Sequence, residues 1–249
     1  MKLTLGIVLA LAMFSIAVAA STTTIDDIIY LTEEYPPMNM EGENGVATGV
    51  SVDVLMEIIK RLGGSKTADY ILIVPWVRGY NEVLTTPNSC LFSMTVTEER
   101  LPLFKWVGPV FINTDDAIAL KKRGLKVSSP KGLVNLKAGV IRGDTGEVLA
   151  EDIGINHIER APSNDINIKK LNEGIIDIWI YSKSSAMLLI EEMGFDPNDY
   201  ESIWNLDTSE LSFAFHKNVD DELIKRIQRT LDDIKADGTY NAIMEKYGM

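Results

Sequence analysis

The chain has a single cysteine, Cys90, and two histidines, His157 and His216. One cysteine excludes an internal disulfide, and with two distant histidines it excludes a zinc cluster. Cys90 sits in the apolar run 'CLF', where a thiol acts as a small buried hydrophobe. Positive charge is also scarce. There are 24 Lys and Arg against 36 Asp and Glu, a formal net charge of −12, so the chain lacks the basic face that nucleic-acid phosphates demand. Absent too are a G-x-S-x-G nucleophile turn and a G-x-x-x-x-G-K-[ST] phosphate loop. 'GDTGE', Gly143 to Glu147, has half the look of such a loop but no lysine. By elimination these absences favour a binder over a catalyst, with no cofactor and no metal.

At the start, Lys2 precedes an apolar run from Leu3 to Val18 that ends in Ala17-Val18-Ala19-Ala20. A positive tip, an apolar centre and small residues form a secretory signal, here residues 1–19, cleaved after Ala19 or Ala20. The run is short for a bilayer span. No cysteine follows it, so no lipid anchor is expected. With 249 residues, 46% of them hydrophobic, the remainder suffices for one large domain or two lobes with separate cores.

Helical periodicity is clearest in 'VSVDVLMEIIKRLGG', where Val54, Leu55, Ile58, Ile59 and Leu62 share a face, Ser51 is placed to cap the start and Gly63 to close the end. Further helices are expected in 'VRGYNEVL', 'GEVLAEDIG', 'SNDINIKKLNEG' (Ser163 or Asn164 as cap, Gly174 as stop), 'SSAMLLIEEMG', 'DDELIKRIQRTLDDIKADG' and the terminal 'TYNAIMEKYGM'. Strands are expected in 'IDDIIYL', 'YILIVPW', 'CLFSMT', 'AIALKK', 'LKAGVI', 'HIERA', 'IIDIWIY' and 'LSFAFHK'. Strands alternating with helices imply an α/β protein with mostly parallel sheets, and two such blocks imply two lobes.

In open α/β sheets ligands sit beyond the carboxyl ends of the strands. Polar residues gather at such ends: Thr32 to Tyr35, then Ser93, Thr95 and Thr97, then 'RGDTG', then Tyr181-Ser182. Of the acidic pairs, Glu33/Glu34 lies at a strand end, whereas Asp26/Asp27, Asp115/Asp116 and Asp232/Asp233 read as solvated faces or loops. Thr97-Glu98-Glu99-Arg100 is a helix-start pattern with Thr97 as cap. Arg100 then has two readings. It pairs with Glu98 or Glu99 on the surface, or it turns into a cleft and grips a carboxylate through two parallel hydrogen bonds.

The order of 'EEYPPM', 'GVSVDVLMEIIKRLG', 'SMTVTEERLPLFKWVGPV', 'GVIRGDTGEVL', 'LNEGIIDIWI' and 'IKADGTYNAIMEKYG' resembles the periplasmic solute-binding proteins of family 3, the amino-acid type serving ABC importers. The resemblance implies a two-lobed type II fold, each lobe a mostly parallel sheet flanked by helices, joined by two hinge strands. It places lobe 1 at 20–113 and 209–249 and lobe 2 at 114–208, with crossings near Asn113 to Asp116 and Thr208 to Leu211. It implies that Ser93, Thr95 and Arg100 grip a ligand carboxylate, that the turn Asp144-Thr145-Gly146 assists, and that Tyr35 stacks on the ligand.

The chain also departs from that family. The usual acceptor of a ligand ammonium, an aspartate, falls at Ser182, and Asp177 lies within the strand, on the same face as Trp179 and Tyr181. Asp144 stands where a small hydroxyl residue is usual, and is the first candidate to take the ammonium instead, ahead of Glu33 and Glu34. In 'PWVRGY', Trp76 and Arg78 replace an acidic-aromatic pair. They read either as core and solvated helix face, or as pocket lining with a second arginine that favours a dicarboxylate. The function implied is a soluble, monomeric periplasmic protein that captures a small carboxylate-bearing solute by lobe closure and hands it to an inner-membrane permease. It is not an enzyme on this reading. The alternatives are a cyclohexadienyl or prephenate dehydratase-like enzyme with Glu33, Glu34 or Asp144 as general acid, and a detached sensory domain.

Overall fold

The computed structural model describes residues 23–249. The leader-like segment and its cleavage site lie outside them. In chain order the elements are β1 (Ile29–Thr32), β2 (Met40–Glu41), β3 (Ala47–Thr48), α1 (Val50–Arg61), β4 (Leu72–Ile73), α2 (Trp76–Thr85), β5 (Ser89–Thr95), β6 (Lys105–Leu120), β7 (Lys137–Ile141), α3 (Thr145–Ile153), β8 (His157–Ala161), α4 (Asn164–Glu173), β9 (Ile178–Ser182), α5 (Lys183–Glu192), β10 (Tyr200–Phe215), α6 (Asp221–Ala236) and α7 (Thr239–Lys246).

The main sheet runs β4-β1-β5-β10-β6-β9-β7-β8. Its wings are parallel: β1 pairs with β4 and β5, and β7 pairs with β8 and β9. The centre is antiparallel. There β6 and β10, 16 residues each, pair along nearly their whole length. One end of β10 joins β5, and the far part of β6 joins β9. Each long strand therefore serves both halves of the molecule.

Each half has its own core. In the first, α1 buries Val54, Leu55, Ile58 and Ile59 against Leu223, Ile227, Leu231 and Ile234 of α6. A fully buried aliphatic side chain of this kind contributes about 1.5–3 kcal/mol. In the second, Ile178 and Ile180 of β9 pack with Ala150 of α3 on one face, while Trp179 and Tyr181 pack with Ile168, Leu171, Ala186 and Ile190 of α4 and α5 on the other.

Four expectations change. 'AIALKK' and 'LSFAFHK' are the apolar ends of β6 and β10; the polar middles, such as Asn113 to Asp116, are strand as well. The strand in 'YILIVPW' shrinks to Leu72–Ile73, because Pro75 opens α2 two residues on. Gly49, not Ser51, precedes α1, at φ 125°, where a Cβ would lie 2.4 Å from the Met38 carbonyl oxygen. Thr97 caps a single turn, not a helix: the Arg100 amide donates to the Thr97 hydroxyl at 3.2 Å and carbonyl at 3.1 Å, and a short 3-10 turn at Leu101–Leu103 follows.

Candidate functional site

β5 ends irregularly. Ser93 has φ 59°, and the pairing of β10 with β5 slips between Ser212 and Ala214. An extra residue in a left-handed conformation is a β-bulge, which shifts the alternation of side chains and re-aims the strand end. Leu91 and Met94 thus pack in the same core, although three residues apart. The bulge is held from behind. The Ser93 hydroxyl donates to Asn39 Oδ1 and lies 2.9 Å from Ser51 Oγ, while Asn39 Nδ2 donates to the Glu33 carbonyl at 2.6 Å. Fully buried Asn39 also exchanges backbone hydrogen bonds with Tyr35. The loop after β1 is thereby fastened to the end of β5, and Glu33 and Tyr35 are brought beside Thr95.

The turn after Thr97 sends Arg100 inward; it is 6% exposed. Its guanidinium donates to the Thr95 carbonyl (3.3 Å), the Thr145 hydroxyl (3.2 Å) and the Gly143 carbonyl (3.4 Å). It lies 4.9 Å from the Trp76 ring centre and 5.5 Å from that of Tyr80. Among the described residues no carboxylate forms an ion pair with it. Its bonds are long for a charged donor, which reaches a carboxylate at about 2.7–2.9 Å. The surface pairing with Glu98 or Glu99 does not form.

The second half supplies the N-terminus of α3. Asp144 caps it, its Oδ1 accepting from the Thr145 amide at 2.7 Å. Space is tight at Gly146, where a Cβ would stand 3.0 Å from the Ile180 carbonyl oxygen. Trp76 ties the halves together by donating from its indole nitrogen to the Gly143 carbonyl at 3.0 Å.

Glu33, Tyr35, Trp76, Ser93, Thr95, Asp115, Asp144, Thr145 and Tyr181 surround one small cavity. Its volume is ≈ 10 Å³, about enough for one water molecule. Tyr35 meets Tyr181 edge to face at 5.4 Å, and Tyr181 stacks on Trp179 at 5.1 Å. A larger and more apolar cavity of ≈ 320 Å³ opens beside it, shares Glu33 and Trp76, and is walled by Val74, Pro75, Ile141 and Leu189.

Six of the nine residues singled out in the sequence line this cavity: Tyr35, Trp76, Ser93, Thr95, Asp144 and Thr145; Arg100 stands behind it, bonded to Thr95 and Thr145. The other two do not line it. Arg78 projects into solvent on α2, its side chain 65% exposed and 3.7 Å from Glu82, so the second arginine and the dicarboxylate preference fall away. Ser182 is buried to 1% but does not line the cavity; Tyr181 before it does. Asp177 is spent elsewhere, accepting from Arg123 and from the Lys137 amide.

Asp115 and Asp116 are corrected as well. They are 6% and 4% exposed, not solvated, because β10 and β9 flank the middle of β6. Asp116 accepts from Asn205 at 2.8 Å. Asp115 Oδ1 accepts from Asn113 at 3.2 Å, and Oδ2 has no partner. Burial pushes the Asp115 carboxyl up to about 7, with Asp144 adding to the rise. Burial also raises Glu33, again with Asp144 contributing. Asp144 is raised by burial and held back by Arg100. Three carboxyl groups and one guanidinium therefore converge on the cavity.

The profile of the bacterial extracellular solute-binding proteins, family 3, matches residues 28–249. A probable histidine-binding protein of Campylobacter jejuni is 23% identical over 234 residues, covering 91% of this chain and 86% of that one. Among solved structures, an ancestral arginine-binding protein bound to arginine superposes with a TM-score of 0.76 at 22% identity, over 90% of this chain and 99% of that one. A histidine kinase sensor domain with similarity to periplasmic binding proteins superposes at 0.78, with 19% identity, over 88% and 95%. These likenesses bear out the two-lobed type II fold, each lobe a largely parallel wing bridged by β6 and β10. The chain belongs to the bacterial extracellular solute-binding proteins of family 3.

Proposed function

We propose that this protein is an exported, monomeric solute carrier of the periplasm. It encloses a small carboxylate-bearing ligand, an amino acid or a related acid, and presents it to an inner-membrane ABC-type permease. One observation carries the reading: Arg100 is buried between the two halves and, among the described residues, forms no salt bridge, bonding only to carbonyls and a hydroxyl. A buried guanidinium without an anion is costly, and a ligand carboxylate meets its fork at two points. Thr95 and Thr145 add hydroxyls, and Trp76 and Tyr35 form apolar walls. Ser93 acts one step back, by fixing Asn39 and the loop that carries Tyr35.

The lobes are 20–113 with 209–249, and 114–208. The hinge is placed where Asn113 pairs with Ser209 and Thr114 with Thr208, between the part of β10 that joins β5 and the part of β6 that joins β9. A cavity with room for one water admits no amino acid, so entry requires the lobes to part about that hinge and to close again on the ligand. No covalent chemistry is needed. The signal-like residues 1–19, without a lipid-anchor cysteine, and a family named for extracellular proteins support export.

A thermal-shift screen of amino acids, dicarboxylates and aromatic acids tests this reading, since a ligand of the folded state alone raises the midpoint by mass action. An amino acid or a related acid should raise it. No response from any carboxylate would overturn the assignment. The partly buried Glu33 carboxyl, raised above its usual range, favours a second reading, a dehydratase acting on prephenate-like acids. Loss of prephenate absorbance with added protein decides for it.

A further inference from the structure

The cavity has a donor side, where Thr95 and Thr145 line it and Arg100 bonds to both from behind. Its other side holds a carboxyl group with an unpaired oxygen. Asp115 lines the cavity at 6% exposure, and its Oδ2 has no hydrogen-bond partner. The charges facing it from β6, β10 and the α3 turn are all acidic: Asp116, Asp207 and Asp144. Asn113 satisfies one oxygen only. Such a group persists in a folded protein when something else supplies the positive charge and the missing donors.

The other carboxyl groups are less available. Asp144 already caps α3 through Oδ1 and has the charge of Arg100 beside it. Glu33 also feels Arg100. Asp115 has neither, and its place in the ladder is informative. It stands directly opposite Ser182 of β9 in the antiparallel pair, where facing Cβ atoms are about 4.5–5.5 Å apart. Ser182 carries no charge, so the carboxylate lies one strand over, on the hinge strand itself.

We propose that Asp115 is the acceptor for the α-ammonium group of the ligand. The assignment rests on the amino-acid form of the reading above and narrows it. The bound solute spans the cavity with its carboxylate on Arg100 and its ammonium on Asp115. The ammonium supplies both the countercharge and a donor for Oδ2. With Glu33 and Asp144 also at the cavity, a ligand whose side chain adds a second carboxylate is disfavoured. Because Asp115 sits in β6 where β10 and β9 meet it, engagement of the ammonium also ties the ligand to the segment about which the lobes turn.

The test uses calorimetry on the signal-free chain. The twenty proteinogenic L-amino acids are titrated, followed by the 2-hydroxy acid matching the tightest of them. Wild type should prefer the amino acid by about tenfold or more, the scale of a charged hydrogen bond. In Asp115→Asn that preference should collapse to within about threefold, with the hydroxy acid retained; Asp144→Asn should shift both ligands alike. A preference that survives Asp115→Asn, or that collapses only in Asp144→Asn, overturns the proposal and leaves the carboxylate reading standing. If no amino acid binds wild type while other carboxylates do, the proposal falls with the amino-acid form of that reading. Should Asp115→Asn fail to melt cooperatively, carboxyl carbon resonances of wild type at pH 6 decide. Saturation with the amino acid should move Asp115 to its ionised position and the hydroxy acid should not; no difference between the two overturns the assignment.

Discussion

Arg100, Asp115 and Asn39 illustrate what single residues settle and how visible each is beforehand. Asp115 has a direct stability consequence. Its carboxyl group is raised from 3.8 to about 7 in the folded protein. A raised carboxyl favours the folded state at low pH: the contribution is complete below about pH 4 and is lost as pH rises through 7, worth on the order of a few kcal/mol. Without ligand, Asp115→Asn should therefore melt higher than wild type at pH 8, and the gap should vanish near pH 4. A constant gap across that range in melting curves would contradict the burial argument. The groups facing Asp115 are Asp116, Asp207, Asp144, Asn113 and Tyr35, and none supplies a cation. Asn39→Ala strands the Glu33 carbonyl and leaves the Ser93 hydroxyl with Ser51 alone. It should cost about 1–3 kcal/mol in denaturant unfolding, as for other buried polar groups left unpaired, and a loss under 0.5 kcal/mol would show that the loop is held by other contacts. Arg100 was half legible: the T-x-x-R turn after a strand rich in hydroxyls left a surface pairing equally open, and only the family resemblance pointed it into the cleft. Asp115 and Asn39 were not. Their importance comes from strands and loops distant in sequence that bury them, and an acidic pair between two hydrophobic stretches has the composition of a loop.

Among the elements, those with a strong internal period were the ones the sequence identifies well: α1, α4, α6, β7 and β8 lie within a residue or two of expectation. The long central strands were hidden, because their middles bridge two halves and carry Asn, Thr, Asp and Ser where a core strand would carry Val or Ile. The start of α1 depends on Gly49 at φ 125°, with the Met38 carbonyl in the way of any side chain. Gly49→Ala should destabilise the chain by about 1–3 kcal/mol from the backbone conformation alone, with the clash adding more. A variant that unfolds at the wild-type denaturant midpoint would refute that. Gly146→Ala crowds the Ile180 carbonyl less severely, at 3.0 Å, and displaces the first turn of α3, which carries Thr145. It should weaken ligand binding more than it lowers the melting midpoint, and the reverse order in parallel calorimetry and melting would place the effect in packing instead.

At the scale of the whole molecule, two halves share one sheet, and they meet at the cavity through polar contacts, Arg100 to Thr145 and Gly143 and Trp76 to Gly143, and through the edge-to-face pair of Tyr35 and Tyr181. Polar contacts of this kind exchange readily with a ligand or with water, whereas β6 and β10 pair along nearly their whole length, with three register shifts, and hold the halves together. The class of fold was legible from the alternation of strands and helices. The size of the closed cavity and the acidic excess around it depend on how the halves meet, which no local pattern records. Closure on a carboxylate held by Arg100 is the central claim, and calorimetric titration of the amino acid that best stabilises wild type, into wild type and into Arg100→Ala and Arg100→Lys, tests it most directly. Loss of a buried charged partner should cost about 2–5 kcal/mol of binding in Arg100→Ala, and Arg100→Lys should also weaken it, because an ammonium cannot form the two-point fork. Binding to Arg100→Ala within about twofold of wild type, under 0.5 kcal/mol, would contradict the account.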